Sequence, residues 1–163
     1  MIGSIQVAKA DMVAQEPWQL CLQVGYAIER LKERGCEAEL SLDALHFANL
    51  WEYLGEITNG GHAQYHENEE DCTRHLEGMS ELLLRIGLPG HADLLNKFGR
   101  VVVENEDHIL DLWASGDHMA AKELFYNLDD HFAELERREG KLQDHLRNWL
   151  AQQPWIVTEE DQR

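Results

Sequence analysis

Apolar residues recur along this chain at intervals of three and four. Behind Pro17, a residue suited to the first turn of a helix, Leu20, Val24, Ala27, Ile28 and Leu31 fall on one helical face. Gly35 ends that run. Ser41 is placed to cap a second helix, whose stripe is Phe47, Leu50, Leu54 and Ile57 and which Asn59-Gly60-Gly61 closes. The acids Glu67, Glu69, Glu70 and Asp71 predict the first turn of a third helix, where they suit the positive end of the helix dipole. Cys72, Leu76, Met79, Leu83 and Ile86 are its apolar face. Gly87-Leu88-Pro89-Gly90 is a break. Leu95, Phe98, Val102, Ile109 and Leu112 form the next stripe, interrupted by Asn105, and Ser115-Gly116-Asp117 ends it. A short helix is expected around residues 118–126. Asp129 or Asp130 then caps a last helix carrying Leu128, Phe132, Leu135, Leu142, Leu146 and Trp149 as far as Pro154.

No segment alternates with a period of two for long, and no hairpin dipeptide separates two strand-like runs. Val101-Val102-Val103 alone resembles a strand, but the period around it is helical. The expectation is an all-α fold of six or seven helices in a single domain over residues 1–163. Residues 1–15 are an N-terminal arm or short helix, and 158–163 a polar tail. The stripes are too broad for a coiled-coil seam.

Charge changes the picture. The chain of 163 residues holds 31 acidic and 14 basic residues, a formal net charge of −17. Such a field repels nucleic acid and anionic membranes and favours a basic partner or plain solubility. The acids are also unevenly spread. No Lys or Arg lies between Arg34 and Arg74, a span with Glu37, Glu39, Asp43, Glu52, Glu56, Glu67, Glu69, Glu70 and Asp71. A second gap, from Arg100 to Lys122, holds Glu104, Glu106, Asp107, Asp111 and Asp117, and Asp129 and Asp130 follow. A run of acids alone reads as a solvated face. Kept together they also provide a surface for a basic protein: Glu67, Glu69, Glu70, Asp71, Glu104, Glu106, Asp107, Asp129 and Asp130 are its candidate contacts. The three cysteines, an odd number, and the absence of a secretory leader read as reduced thiols of a cytoplasmic protein.

The stretch Asn59-Gly60-Gly61-His62-Ala63-Gln64-Tyr65-His66 is the most distinctive in the chain. Two adjacent glycines provide positive φ at little steric cost, so they stop a helix and re-aim the chain. The stretch also resembles the pattern N-G-G-F-x-Q-Y-F of a bacterial family of unknown function named after a DNA mimic protein. Asn59, Gly60, Gly61, Gln64 and Tyr65 carry the likeness. Leu54-Gly55-Glu56-Ile57, Ile86-Gly87 and Leu128-Asp129-Asp130-His131-Phe132 agree with it in order and spacing, over roughly residues 40–150. The resemblance implies an all-helical fold. It also implies a surface charged like duplex DNA that occupies the DNA-binding face of a protein such as a transcription factor, with a homodimer among its states. His62 and His66 stand where the family has aromatics. A histidine there either packs in the core with its ring satisfied or faces outward.

Those histidines open a second reading. His62 and His66, four apart, with Cys72 and His75 three apart, give His-x3-His-x5-Cys-x2-His, a donor set zinc would accept. The plain alternative for Cys72, on an apolar stripe, is an inert buried thiol. An immunity-type inhibitor of a basic toxin has the same sequence character as a DNA mimic. An enzyme is the least favoured class. There is no phosphate loop, nucleophile elbow or His-Glu-x-x-His motif, adjacent acids on a helix point apart, and no cofactor is expected.

Overall fold

A computed structural model describes residues 4–8, 12, 16–69 and 71–158. Among these the class is all-α, with seven α-helices and one two-stranded sheet. In chain order they are β1 (Ile5–Val7), α1 (Pro17–Glu33), α2 (Leu42–Asn68), α3 (Leu76–Arg85), α4 (Pro89–Ser115), α5 (His118–Glu123), α6 (Tyr126–Glu139), α7 (Leu142–Leu150) and β2 (Ile156–Thr158). No helix among the described residues is long and apolar enough to cross a membrane.

The residues gather into two compact units, Met1–Trp51 with Gly140–Arg163, and Glu52–Glu139. In the first, β1 and β2 pair in parallel with Ile5 opposite Ile156 and Val7 opposite Thr158. Helix α1 turns Leu20, Cys21, Val24 and Ile28 inward, and α7 contributes Leu142, Leu146 and Leu150, all fully buried. Phe47 lies between Trp51 and Trp149, with ring centroids 6.4 and 6.3 Å away. Gly25 has to be small: a Cβ there would sit 2.8 Å from Trp51 Cδ1. The Ser41 hydroxyl accepts from the Ala44 amide at 3.1 Å, the cap its sequence position predicts.

In the second unit α3 and α4 form a helical pair joined through Gly87, whose φ of +84° carries the turn. The buried Ser80 hydroxyl ties them by donating to the Ala92 carbonyl at 3.1 Å. Gly99 lets α4 approach Leu76, and Gly90 lets it approach Leu135 on α6. Tyr53, Tyr65, Phe98 and Phe125 form the aromatic centre of this unit, all at or below 4% exposure. Gly116, at φ +78°, ends α4, and Asp117 caps α5 by accepting from the Ala120 amide at 3.1 Å.

The structure agrees with the sequence reading at the glycine corner and departs from it elsewhere. The glycine pair ends one helical stretch and re-aims the chain, as its sequence position predicts. The chain breaks only at Gly61 (φ 81°, ψ −177°) and resumes helix at His62, so α2 runs on to Asn68. Glu67 therefore lies in the last turn of α2 and not the first turn of α3, which begins at Leu76. There it opposes the helix dipole, and solvent exposure limits the cost. The last stripe is also two helices: Gly140, at φ +93°, separates Leu128, Phe132 and Leu135 on α6 from Leu142 and Leu146 on α7. Finally, the arm expected at residues 1–15 contains a strand at Ile5–Val7, with three residues per strand too few to show alternation. Positions 1–3, 9–11 and 13–15, and 159–163 of the expected tail, lie outside the described residues, as does Glu70.

A candidate interaction site beside the glycine corner

The corner is held from across its unit. Asp129, in the first turn of α6, accepts through Oδ1 from the His62 amide at 2.8 Å and pairs with His62 Nδ1 at 2.6 Å. The amide is one that a restarted helix leaves without a partner, so Asp129 acts as a cap supplied by another helix. His62 is 0% exposed, and its Nε2 lies 2.8 Å from the Tyr53 hydroxyl. A proton on Nδ1 faces the carboxylate, which leaves Nε2 to accept from Tyr53. Burial raises the Tyr53 pKa well above its ordinary value, so the phenol keeps the proton it donates. The His62 ring also packs against Phe98 at 5.5 Å between centroids. Of the two placements open to this histidine, the structure takes the core, with both ring nitrogens engaged.

Gln64 and Tyr65 are structural neighbours of the corner. The Gln64 and Asn68 amides both donate to Glu56 Oε2 at 2.7 Å. Tyr65 packs edge-on against Tyr53 at 5.1 Å, and burial raises its pKa. Asn59 is exposed, and with Ile57, Thr58, Gly60, Gly61, Asp129 and Phe132 it borders a hollow of about 300 Å³.

A larger cleft, about 410 Å³, opens where α2 ends. Its acidic lining is Glu67, Glu69, Asp71 and Glu106; Cys72, Val102, Leu110 and Trp113 add apolar surface, and His66 and His118 add imidazoles. None of the described lining residues is Lys or Arg. Charges with no basic neighbour in a concave wall raise the local negative potential above that of a flat surface. His66 is half-buried and accepts at Nδ1 from the Trp113 indole N–H at 3.3 Å. Burial lowers its pKa from the ordinary imidazole value, against the pull of Glu106 and Glu67. His118 Nδ1 is 3.8 Å from Glu67 Oε1.

The family model described as DMP19-like protein matches residues 38–153, which include the glycine corner, both walls of the cleft and all of α7. The chain belongs to the DMP19-like protein family. No curated protein and no solved structure matches it. On this DMP19-like chain the candidate partner-binding acids fall in different places. Glu67, Glu69, Asp71 and Glu106 meet in the cleft, while Glu104 and Asp107 are exposed elsewhere on α4, Glu104 bordering a separate hollow with Arg100. Asp130 is exposed, whereas Asp129 has one oxygen committed to His62, so its first duty is to the fold.

The candidate zinc ligands are not assembled: among the described residues no group of three or more His, Cys, Asp or Glu side chains is placed to hold a metal ion. His62 is consumed by Tyr53 and Asp129, and His75 is exposed. Cys72 is buried at 6% exposure, and burial pushes its thiol up to about 11. Sequence reasoning missed Tyr53, Trp113 and His118. Each lies on a helix with no local motif, and only the packing brings it to the corner or the cleft.

Proposed function

We propose that this chain is an acidic protein-interaction module that occupies the basic DNA-binding face of a partner protein. The observation that supports this reading most is the cleft where Glu67, Glu69, Asp71 and Glu106 line one concavity without a Lys or Arg among the described lining residues. Carboxylates there replace phosphates. They draw a basic surface in by long-range attraction and then pair with its guanidinium and ammonium groups. Membership of the DMP19-like family is compatible with this role. The chain itself binds no nucleic acid on this reading, because its formal charge of −17 repels a polyanion. It needs no cofactor and catalyses no reaction.

The test is capture of the partner from the native host at low and high salt. Binding is expected to weaken steeply with salt, and DNA is expected to compete with this chain for the partner. Neutralising Glu67, Glu69, Asp71 and Glu106 together should reduce binding while leaving the helical spectrum intact. Single neutralisations are poor probes, since an exposed charge pair contributes only about 0–1 kcal/mol. A partner that holds DNA and this chain at once, or whose binding ignores both salt and the fourfold change, would overturn the reading.

A further inference from the structure

An indole N–H only donates, so the bond between Trp113 Nε1 and His66 Nδ1 requires a lone pair on Nδ1 and places the ring proton on Nε2. The two residues are far apart in sequence and line the acid-rich cleft from different helices, His66 near the end of α2 and Trp113 near the end of α4. Phe125 backs the His66 ring at 5.8 Å between centroids. The titratable groups around it come from every wall: Glu67 and Glu69 where α2 ends, Asp71 and Cys72 from the link to α3, Glu106 from α4, and His118 from α5. The His118 ring lies against Trp113 at 5.1 Å.

We propose that His66 is a pH-sensitive latch on this cleft: unprotonated, it ties α2 to α4 through Trp113, and protonation breaks that tie and turns the ring toward the carboxylates. An imidazolium has no acceptor, so Trp113 loses its partner as soon as Nδ1 takes a proton. The new cation then pairs with Glu67 or Glu106, the acids that already pull on it. Burial opposes that pull and wins, so the latch opens below the ordinary imidazole value of 6.5. An opened latch subtracts negative charge from the cleft. Weaker binding of a basic partner at acidic pH follows, and this consequence alone rests on the cleft being the partner's seat.

The experiment is a titration of the intact protein followed by nuclear magnetic resonance of the indole N–H and imidazole signals between about pH 8 and about pH 5. The Trp113 indole signal is expected to move with one midpoint, shared with His66 and below the ordinary imidazole value. The transition should vanish in His66→Phe, which keeps a flat ring beside Phe125, and persist in His118→Asn, which removes the other imidazole near Trp113. A Trp113 signal that titrates unchanged in His66→Phe, or that stops titrating in His118→Asn, overturns the latch. In parallel, a nona-arginine peptide serves as the basic probe at about pH 7.5 and about pH 5.5. It should bind several-fold more weakly at the lower pH, with a smaller change in His66→Phe. A confirmed indole titration with no peptide binding at either pH would leave the latch standing and count against the cleft as a basic partner's seat. Peptide binding with no indole titration would do the reverse.

Discussion

Replacing Gly61 with alanine tests the corner on which the second unit depends. The residue sits at φ 81° and ψ −177°, a region that side chains other than glycine essentially do not enter, at a cost on the order of 1–3 kcal/mol. Space adds to the strain. A Cβ built at Gly61 lies 2.6 Å from Asp129 Oδ2 and 2.9 Å from Oδ1. That carboxylate cannot withdraw freely, because it holds the His62 amide at 2.8 Å and His62 Nδ1 at 2.6 Å. Hydrogen bonds to a charged group contribute about 1.5–3 kcal/mol each, so weakening one of them brings the expected loss to about 3–5 kcal/mol. That is a large fraction of the roughly 5–15 kcal/mol that holds a domain folded. Urea unfolding followed by far-ultraviolet circular dichroism measures it directly. A double-mutant cycle with Asp129→Ala separates the two causes. If the collision is real, the double variant loses clearly less than the sum of the singles, because the carboxylate that obstructs the Cβ is already gone. Gly60→Ala is the internal contrast. Its backbone is helical, so it carries no backbone strain, but a Cβ there meets Gln64 Oε1 and lies 2.9 Å from Gln64 Cβ, and the shift it forces gives up the Gln64 bond to the Glu56 carboxylate, about 1.5–3 kcal/mol. A Gly61→Ala protein within about 0.5 kcal/mol of wild type would refute the argument, and so would additivity with Asp129→Ala.

The remaining predictions concern protons, thiols and caps. The depressed pKa of His66 means that the unfolded chain binds its proton first, so the stabilisation is present above about pH 6.5 and is lost as pH falls through the folded value. His66→Phe should flatten the stability profile in that acid window, and an unchanged profile in urea titrations would count against this assignment. Burial pushes Cys21 to about 12 and Cys72 to about 11, so at neutral pH both should resist a thiol reagent until the protein unfolds. Cys36, the partly exposed thiol, should label in the native state, and mass spectrometry of digests would show whether that order is reversed. Ser41→Ala removes the acceptor for the Ala44 amide and should cost about 1 kcal/mol; a loss near zero would show that water replaces the cap.

Read alone, the sequence determined the helices. The apolar period of Leu20, Val24 and Ile28, and of Leu95, Phe98 and Val102, is a local property of the chain. The burial of all six confirms which faces it turned inward. Local chemistry also sufficed for Ser41 as a cap and for the breaks at Gly87-Leu88-Pro89 and Gly116. The uneven distribution of acids was equally plain. What the sequence could not reveal is whatever depends on residues distant along the chain. Gly60 and Gly61 look alike in sequence, and only Asp129, sixty-seven residues beyond His62, decides that the chain turns at the second and restarts its helix there. That restart moves Glu67 from the expected beginning of one helix to the end of another, which changes the sign of its interaction with the dipole. Gly140 follows the same logic, since a lone glycine in a periodic stripe is a tolerated helix residue or a break according to what the flanking helices pack against. The site shows the limit most sharply. The acids of the cleft were legible as charge, but their meeting around His66 and Trp113 was not, because α2, α4 and α5 come together through buried aromatic packing that leaves no spacing in the sequence.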